Sequence, residues 1–235
     1  MTTKAPTIVM LGDSLTAGYQ LNEDEALPAV VERVLAARGV KIGLCPSTDP
    51  LIGAGLPPIL QFLNNGVQFG DIGMSVDVTC QTSVDPFAAM RTIMNSGRIA
   101  KMNGASFEQI IFTPGDPDDH TNGLVMPSQM LELATVNGAH VLGLGAVTGT
   151  LTPGKRADLI MVRTDDINML PVEESDAAFQ LVQHGQVANV DTVMVDGKIL
   201  KRAGKLVGVD PREVAAAAAA SHRRLVAAAK AAAAA

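Results

Sequence analysis

The stretch Gly73-Met74-Ser75-Val76-Asp77-Val78 is the starting point for interpreting this chain. It is a short apolar run that ends in one carboxylate, and the polar residues 79–83 follow it. This pattern predicts a buried strand followed by a loop. Barrel enzymes place catalytic groups at the carboxyl ends of parallel strands, which makes Asp77 a candidate site residue. The alternative is that Asp77 only accepts backbone hydrogen bonds within the loop.

The composition indicates a large aliphatic core and argues against several classes of protein. The chain has 235 residues, of which 47% are hydrophobic and only 3% aromatic. Such a chain suits packed α/β layers and lacks the aromatic side chains on which single-stranded nucleic acid stacks. Two cysteines cannot form a disulfide framework, so we expect a reduced, cytoplasmic setting. No apolar run approaches the ~18 residues that span a bilayer, and we expect no membrane partner.

The charge is distributed unevenly along the chain. Residues 198–235 contain eight Lys or Arg and two acidic residues, a net charge of +6, whereas the whole chain carries −6. Residues 1–197 therefore carry −12. An acidic body disfavours binding to nucleic acid. We interpret the basic end as a solvated helix face.

The first 39 residues predict one strand–turn–helix unit. Residues 7–11 are a β-type run, residues 23–38 have helical spacing, and Gly39 is a good helix terminator. Between them, Gly12-Asp13-Ser14-Leu15 resembles the first block of the GDSL (SGNH) hydrolases, which are serine esterases. The resemblance implies that Ser14 is the nucleophile of an esterase. The alternative is that Ser14 or Asp13 caps a helix.

The central residues predict a repeated strand–loop–helix order. The predicted elements are a strand at 40–44, a short helix at 59–65, a strand that runs to Asp77, and a helix at 85–102. This order is typical of a parallel sheet or barrel. The following loop, residues 104–127, contains the acidic segment Gly115-Asp116-Pro117-Asp118-Asp119-His120. His120 is a candidate metal ligand there, and the alternative is that the carboxylates of this turn are only solvated.

The C-terminal part predicts a helix, a group of strands and a final helix. Asp196-Gly197 is a strong hairpin signal. His140 lies in an apolar context and is interpreted as a packed or helix-end histidine. The predicted elements are a helix at 128–137 that residues 138–143 close, strands at 157–162, 179–183, 191–195 and 198–202, and an Ala-rich helix at 212–235.

Residues ~40–225 resemble the C-terminal portion of the metal-dependent amidohydrolase superfamily, in its aminohydrolase, deaminase and chlorohydrolase branch. The resemblance is strongest in residues 134–139 and 151–160 and continues in residues 189–198. Its most specific part is Pro153-Gly154-Lys155-Arg156-Ala157-Asp158-Leu159. In the family this run marks the return from the barrel into a small β-sandwich.

The resemblance implies a function for Asp77. In the family, an Asp at the end of the last barrel strand binds a divalent metal, zinc or iron, and takes a proton from the attacking water. The implied activity is hydrolysis of C–N or C–Cl bonds in a small heterocyclic substrate. Two features depart from the family: no His-x-His sequence exists here, and Leu44 stands where the family has a His before Cys45-Pro46. We therefore expect impaired or absent catalysis, and a non-catalytic hybrid or assembly protein is a further alternative.

The predicted fold class is α/β. It comprises a partial parallel β/α layer like an incomplete TIM barrel, a small C-terminal β-sandwich-like portion and an Ala-rich terminal helix. The predicted units are residues 1–39, which are GDSL-like, 40–148, 149–210 and 211–235. Because an incomplete barrel exposes strand edges and apolar faces, we expect a homo-oligomer.

Overall fold

The computed structural model describes residues 8–9, 34, 37–77, 79, 81–102, 125–171 and 177–233. These residues form a mixed α/β fold with one parallel and one antiparallel sheet. The strands are β1 (Ile8–Val9), β2 (Lys41–Leu44), β3 (Ile72–Met74), β4 (Leu159–Val162), β5 (Val190–Val195), β6 (Lys198–Arg202) and β7 (Lys205–Leu206). The helices are α1 (Ile59–Asn64), α2 (Pro86–Met102), α3 (Pro127–Glu132), α4 (Gly138–Val141), α5 (Ala177–His184) and α6 (Pro211–Ala233).

The parallel sheet has the strand order β1-β2-β3. Ile8 pairs with Lys41, and Ile42 pairs with Ile72. All three strands point the same way, so their carboxyl ends lie at one edge of the layer. The parallel β/α arrangement predicted for the first half of the chain is confirmed for these strands.

The core lies between this sheet and the helices that pack on it. It is aliphatic, as the composition predicts, and its most deeply buried side chains have no exposed surface. These side chains are Ile59, Ile72, Ile93, Met94, Met130, Leu133, Met169 and Val182.

Helix α2 forms where the sequence predicts it. The Asp85 carboxylate accepts hydrogen bonds from the backbone N–H groups of Phe87 and Ala88, at 3.0 and 3.1 Å. These bonds satisfy two of the donors that a helix leaves free at its start. Phe87 is buried but Ile99 is 49% exposed, so the last turns of the helix leave the core.

Two predicted elements differ from the structure. The strand before Asp77 is short, because Phe69–Asp71 forms a 3₁₀ turn and β3 ends at Met74. The predicted strand at 179–183 is wrong, since these residues lie in α5 and pack Val182 into the core. The helix before residues 138–143 closes within that segment, as predicted: α3 continues through a π-helical turn at Leu133–Asn137 into α4, which ends at Val141.

The antiparallel sheet has the order β4-β5-β6-β7. The predicted hairpin is confirmed: β5 pairs with β6, and both turn residues, Asp196 and Gly197, have positive φ angles of 50° and 76°. Those angles suit the two-residue turn that matches strand twist. The part of the chain that the structure describes holds one sheet here, so a second layer of the predicted sandwich is not among these residues.

Helix α6 follows the antiparallel sheet and confirms the predicted Ala-rich helix. It has 23 residues, and none of them is buried. Within the described ranges, no helix combines the length and apolar character needed to cross a membrane.

A polar cluster joins α4 to the amino-terminal end of the parallel sheet. His140 Nε2 lies 3.0 Å from the Asp71 carboxylate, and Lys41 Nζ contacts both Asp71, at 3.3 Å, and His140. His140 is in the last turn of α4. Its prediction as a helix-end histidine is confirmed, and it lies at the end of the sheet opposite Asp77.

Gly149 allows the loop after α4 to pack against the helix. Its φ angle is +92°, and an added Cβ would lie 2.6 Å from Ala139 Cβ and 3.2 Å from Val136 Cα. Gly154 has nearly the same φ angle, +93°, but an added Cβ would have no atom within 4 Å. The two glycines therefore share a left-handed backbone, in which a residue with a Cβ would be strained, but they differ in packing.

We predict that Gly149→Ala destabilises the protein much more than Gly154→Ala. The left-handed backbone costs each variant about 1–2 kcal/mol. Overpacking adds about 1–3 kcal/mol to Gly149→Ala alone, because the backbone of Val136 cannot move aside easily. Urea unfolding measures the difference. Equal losses in the two variants would contradict the packing of this loop on the helix.

Candidate active site

The carboxyl ends of β2 and β3 bring two short polar segments together. Cys45 to Asp49 follow β2, and Ser75 to Asp77 follow β3. The Ser75 N–H donates a hydrogen bond of 2.8 Å to the Leu44 carbonyl and extends the pairing of the two strands by one residue. This pairing makes the segments neighbours although about 30 residues separate them in sequence.

Asp77 lies beyond the strand, three residues after Met74. Its φ angle is +60°, a left-handed conformation that Asp tolerates better than most residues. Its N–H donates a hydrogen bond of 3.2 Å to Ser75 Oγ, and the residue is exposed. Among the described groups, none donates a hydrogen bond to the Asp77 carboxylate. The carboxylate is therefore held at the carboxyl edge of the sheet and is open to solvent.

Asp49 is the second carboxylate of this edge, and it is 8% exposed. Burial raises its pKa, and the nearby Asp77 charge raises the pKa further, while a hydrogen bond from the Cys45 backbone opposes both. A charged group loses hydration when it is buried, and a like charge adds repulsion. The two carboxylates are thus close enough to interact.

The Cys45 thiol belongs to the same cluster. Burial raises its pKa, the charges of Asp49 and Asp77 raise it in that order, and a hydrogen bond with the Ser75 side chain lowers it. A thiol with a raised pKa is mostly protonated near neutral pH and is a poor nucleophile. Cys45 is therefore a packed neighbour of the carboxylates and not a reactive thiol.

Sequence reasoning selected Asp77 but overlooked Asp49. Asp49 stands in the loop after the predicted strand at 40–44, where the same rule that selected Asp77 applies. Two neighbouring parallel strands, each followed by a carboxylate, could have predicted the pair. What the sequence did not reveal is that Asp49 is buried.

The other predicted site residues lie outside the described residues. This holds for Ser14, the candidate nucleophile, and for His120, the candidate metal ligand. Their predicted roles remain predictions.

The described residues do not fit a divalent metal centre. No three of their His, Cys, Asp or Glu side chains form a group that could hold a metal ion. A catalytic zinc needs about three protein ligands. Leu44, at the position where the resemblance expects a His, is a buried apolar residue with 3% exposure. Asp77 and Asp49 supply oxygen donors, but this part of the chain gathers no imidazole beside them.

A parallel β/α layer with carboxylates at its carboxyl edge is the arrangement of barrel hydrolases. The model of the amidohydrolase family matches residues 18–200. The chain therefore belongs to the amidohydrolase family. The match begins before Gly39 and so crosses the predicted boundary between the first two units. The predicted resemblance of Gly12-Asp13-Ser14-Leu15 to GDSL hydrolases lies before residue 18 and is not supported by these comparisons.

Several known proteins are similar to this chain. A 5-methylthioadenosine/S-adenosylhomocysteine deaminase of Desulforudis audaxviator is 32% identical over 183 residues, which are 77% of this chain and 37% of the relative. A 5'-deoxyadenosine deaminase of Methanobrevibacter smithii is 26% identical over 182 residues, with the same two coverages. The chain thus spans well under half the length of these relatives.

The fold matches that of a solved deaminase. The crystal structure of an adenosine deaminase from Xanthomonas campestris with bound zinc aligns with a TM-score of 0.62 and 21% identity. The alignment covers 88% of this chain and 41% of the solved one. The likeness confirms the mixed α/β architecture and fits a partial barrel.

We predict that neutralising either carboxylate makes the Cys45 thiol easier to ionise. Both charges raise the pKa of this thiol, and Asp49 contributes more than Asp77. Asp49→Asn should therefore lower the thiol pKa more than Asp77→Asn does. Ultraviolet absorbance of the thiolate against pH, in a Cys80→Ser background, measures the shift.

The matched control is Asp165→Asn, which removes an exposed carboxylate and should leave the thiol titration unchanged. An unchanged titration in Asp77→Asn would show that Asp77 does not face Cys45.

Proposed function

We propose that this chain has the hydrolytic function of the amidohydrolase family, directed at a C–N bond of a small heterocycle, and that its rate is strongly reduced. The substrate class is a purine nucleoside whose exocyclic amine is released as ammonia. Membership of the family supports the hydrolytic class. The deaminase names of the relatives favour C–N over C–Cl bonds.

The position of Asp77 is the observation that supports this proposal most directly. The carboxylate follows a parallel strand, is open to solvent and has a left-handed backbone. A left-handed backbone at a residue other than Gly is often found at functional sites. These features support a role for Asp77 as the group that accepts a proton from a water molecule at the edge of the sheet.

The proposed step uses water and the Asp77 carboxylate. The water oxygen bonds to the ring carbon while the carboxylate takes one of its protons, and the π-electron pair of the ring C=N bond moves onto the ring nitrogen. The proton then passes from the carboxyl group to the exocyclic nitrogen, the exocyclic C–N bond breaks, ammonia leaves and the ring C=N bond re-forms. General base catalysis of this kind contributes roughly 10²–10⁴-fold to a rate.

The reduced rate follows from the missing imidazole ligands. Water has a pKa of about 15.7, and a carboxylate alone is a weak base toward it. Leu44 offers no donor atom, and His-x-His is absent from the whole sequence. We therefore place the turnover at least about a thousandfold below the roughly 10 s⁻¹ typical of enzymes.

We predict slow ammonia release from 5-methylthioadenosine or 5'-deoxyadenosine that depends on Asp77. Asp77→Asn should abolish the release, because an amide cannot accept the proton, whereas Asp165→Asn should leave it unchanged. A coupled ammonia assay with added zinc measures both variants beside the unmodified chain.

Three results would contradict the proposal. Equal release by both variants would mean that Asp77 is not the base. No release from the unmodified chain would favour a non-catalytic protein. A turnover near 10 s⁻¹ together with stoichiometric bound metal would contradict the reduced rate.

A further inference from the structure

The antiparallel sheet turns one of its faces toward the helices of the fold. Side chains alternate between the two faces of a strand, so Asp158, Ile160 and Val162 lie on the same face along β4. Ile160 pairs with Val193, and both Val162 and Val193 pack against the hydrophobic core. This row of side chains therefore faces the helices, with Asp158 at one end and Val162 about 13 Å away at ~3.3 Å per residue.

An apolar groove lies between this face and the helices. We call it the inter-layer groove: a cavity of about 640 Å³ between α2, α3, α5 and the antiparallel sheet. Phe87 and Leu181 line its helical side, and Ile160 lines the sheet. Ile160 is 51% exposed, so the groove is open to solvent there. Its volume lies within the range of about 300–1,000 Å³ of small-molecule sites, which are mostly apolar with a few placed polar groups.

The inter-layer groove contains one fixed negative charge. Asp158 is the one ionisable side chain among its described lining residues. The Thr148 hydroxyl donates a hydrogen bond of 2.7 Å to Asp158 Oδ2, and the Asp196 N–H donates one of 2.6 Å to Asp158 Oδ1. These bonds, that of Thr148 foremost, lower the Asp158 pKa, so the group stays ionised near neutral pH.

The Asp158 carboxylate has room for a further donor. A carboxylate oxygen has two lone-pair positions, and among the described residues each oxygen of Asp158 accepts one hydrogen bond. The nearby Arg156 guanidinium pairs with Asp196 instead, at 3.7 Å. A cation at this end of the groove would therefore find both a charge and free acceptor positions.

We propose that the inter-layer groove binds a small aliphatic amine, with the ammonium group on Asp158 and the hydrocarbon chain along Ile160 and Val162. An ammonium group supplies three donors and the opposite charge, whereas an anionic ligand would be repelled. The apolar lining beyond Asp158 favours a hydrocarbon chain over a polar one. None of the lining residues belongs to the segments 45–49 and 75–77, so this proposal does not rest on the proposed hydrolysis.

Isothermal titration calorimetry with ligands of equal chain length tests the role of charge. At pH 7 octylamine is a cation, 1-octanol is neutral and octanoate is an anion. We expect octylamine to bind the unmodified chain at one site, 1-octanol to bind at least about fivefold more weakly, and octanoate not to bind measurably. From butylamine to octylamine, each added CH₂ should raise the affinity roughly fourfold, through the apolar surface that it buries.

A matched pair of variants in β4 tests the location of the site. Ile160→Asn places an amide in the groove, whereas Met161→Asn places the same amide on the other face of the sheet. The two native side chains are 51% and 58% exposed, so neither variant should unfold the protein, and urea unfolding checks this. We expect Ile160→Asn to weaken octylamine binding at least about tenfold and Met161→Asn to leave it unchanged.

A second pair of variants tests the ammonium contact. Asp158→Asn should abolish the preference for octylamine over 1-octanol. Asp165→Asn, which removes an exposed carboxylate outside the groove lining, should retain that preference.

Four results would overturn the proposal. They are equal affinities for octylamine and octanoate, equal losses of affinity in the two β4 variants, an unchanged ligand preference in Asp158→Asn, and the absence of saturable binding to the unmodified chain. Octylamine binding that weakens as the protein concentration rises would show that a second copy covers the groove, and it would also overturn the proposal.

Discussion

The pairing of β2 with β3 is the constraint on which the described structure depends. Ile42 pairs with Ile72 and Gly43 with Gly73, and both isoleucines are almost completely buried. An added Cβ at Gly73 would lie 3.2 Å from Val141 Cγ2 and 3.4 Å from Gly138 Cα. The absence of a side chain at Gly73 therefore lets α4 lie directly on the strand. A register shift of one residue would expose the isoleucines and break this contact.

The pairing of β2 with β3 also brings acidic groups together at the candidate site, and their repulsion lowers the stability of the folded protein. It places a buried carboxylate, Asp49, beside the charge of Asp77 and the thiol of Cys45. The pKa of Asp49 is raised by folding, so the folded state binds its proton more tightly than the unfolded state does. Its contribution to stability is full below the unfolded pKa of about 3.8 and is lost as the pH rises through the folded value. The fold thus keeps this carboxylate at the expense of stability near neutral pH, as functional sites commonly do.

Elements defined by local chemistry could be predicted, and those defined by tertiary packing could not. The start of α2 at residues 85–86 and the Asp196-Gly197 turn depend on short-range features, and both were predicted correctly. Residues 179–183 alternate in a way that suits a strand. They form a helix because Val182 packs into the core and the Arg91 guanidinium bonds the Val182 carbonyl at 3.0 Å. No local pattern encodes that contact. Asp77 could be selected from the sequence, whereas the burial of Asp49 depends on long-range packing.

Among the described residues, exposed apolar side chains offer more surface for contact than the free backbone groups of the edge strand do. The edge strand β3 of the parallel sheet has three residues, and a short edge offers few free backbone groups to another strand. The antiparallel sheet and α6 carry exposed apolar side chains, among which Ile160, Met161 and Leu225 are each more than half exposed. Burial of apolar side chains is non-directional and scales with area, whereas edge pairing requires a matching strand.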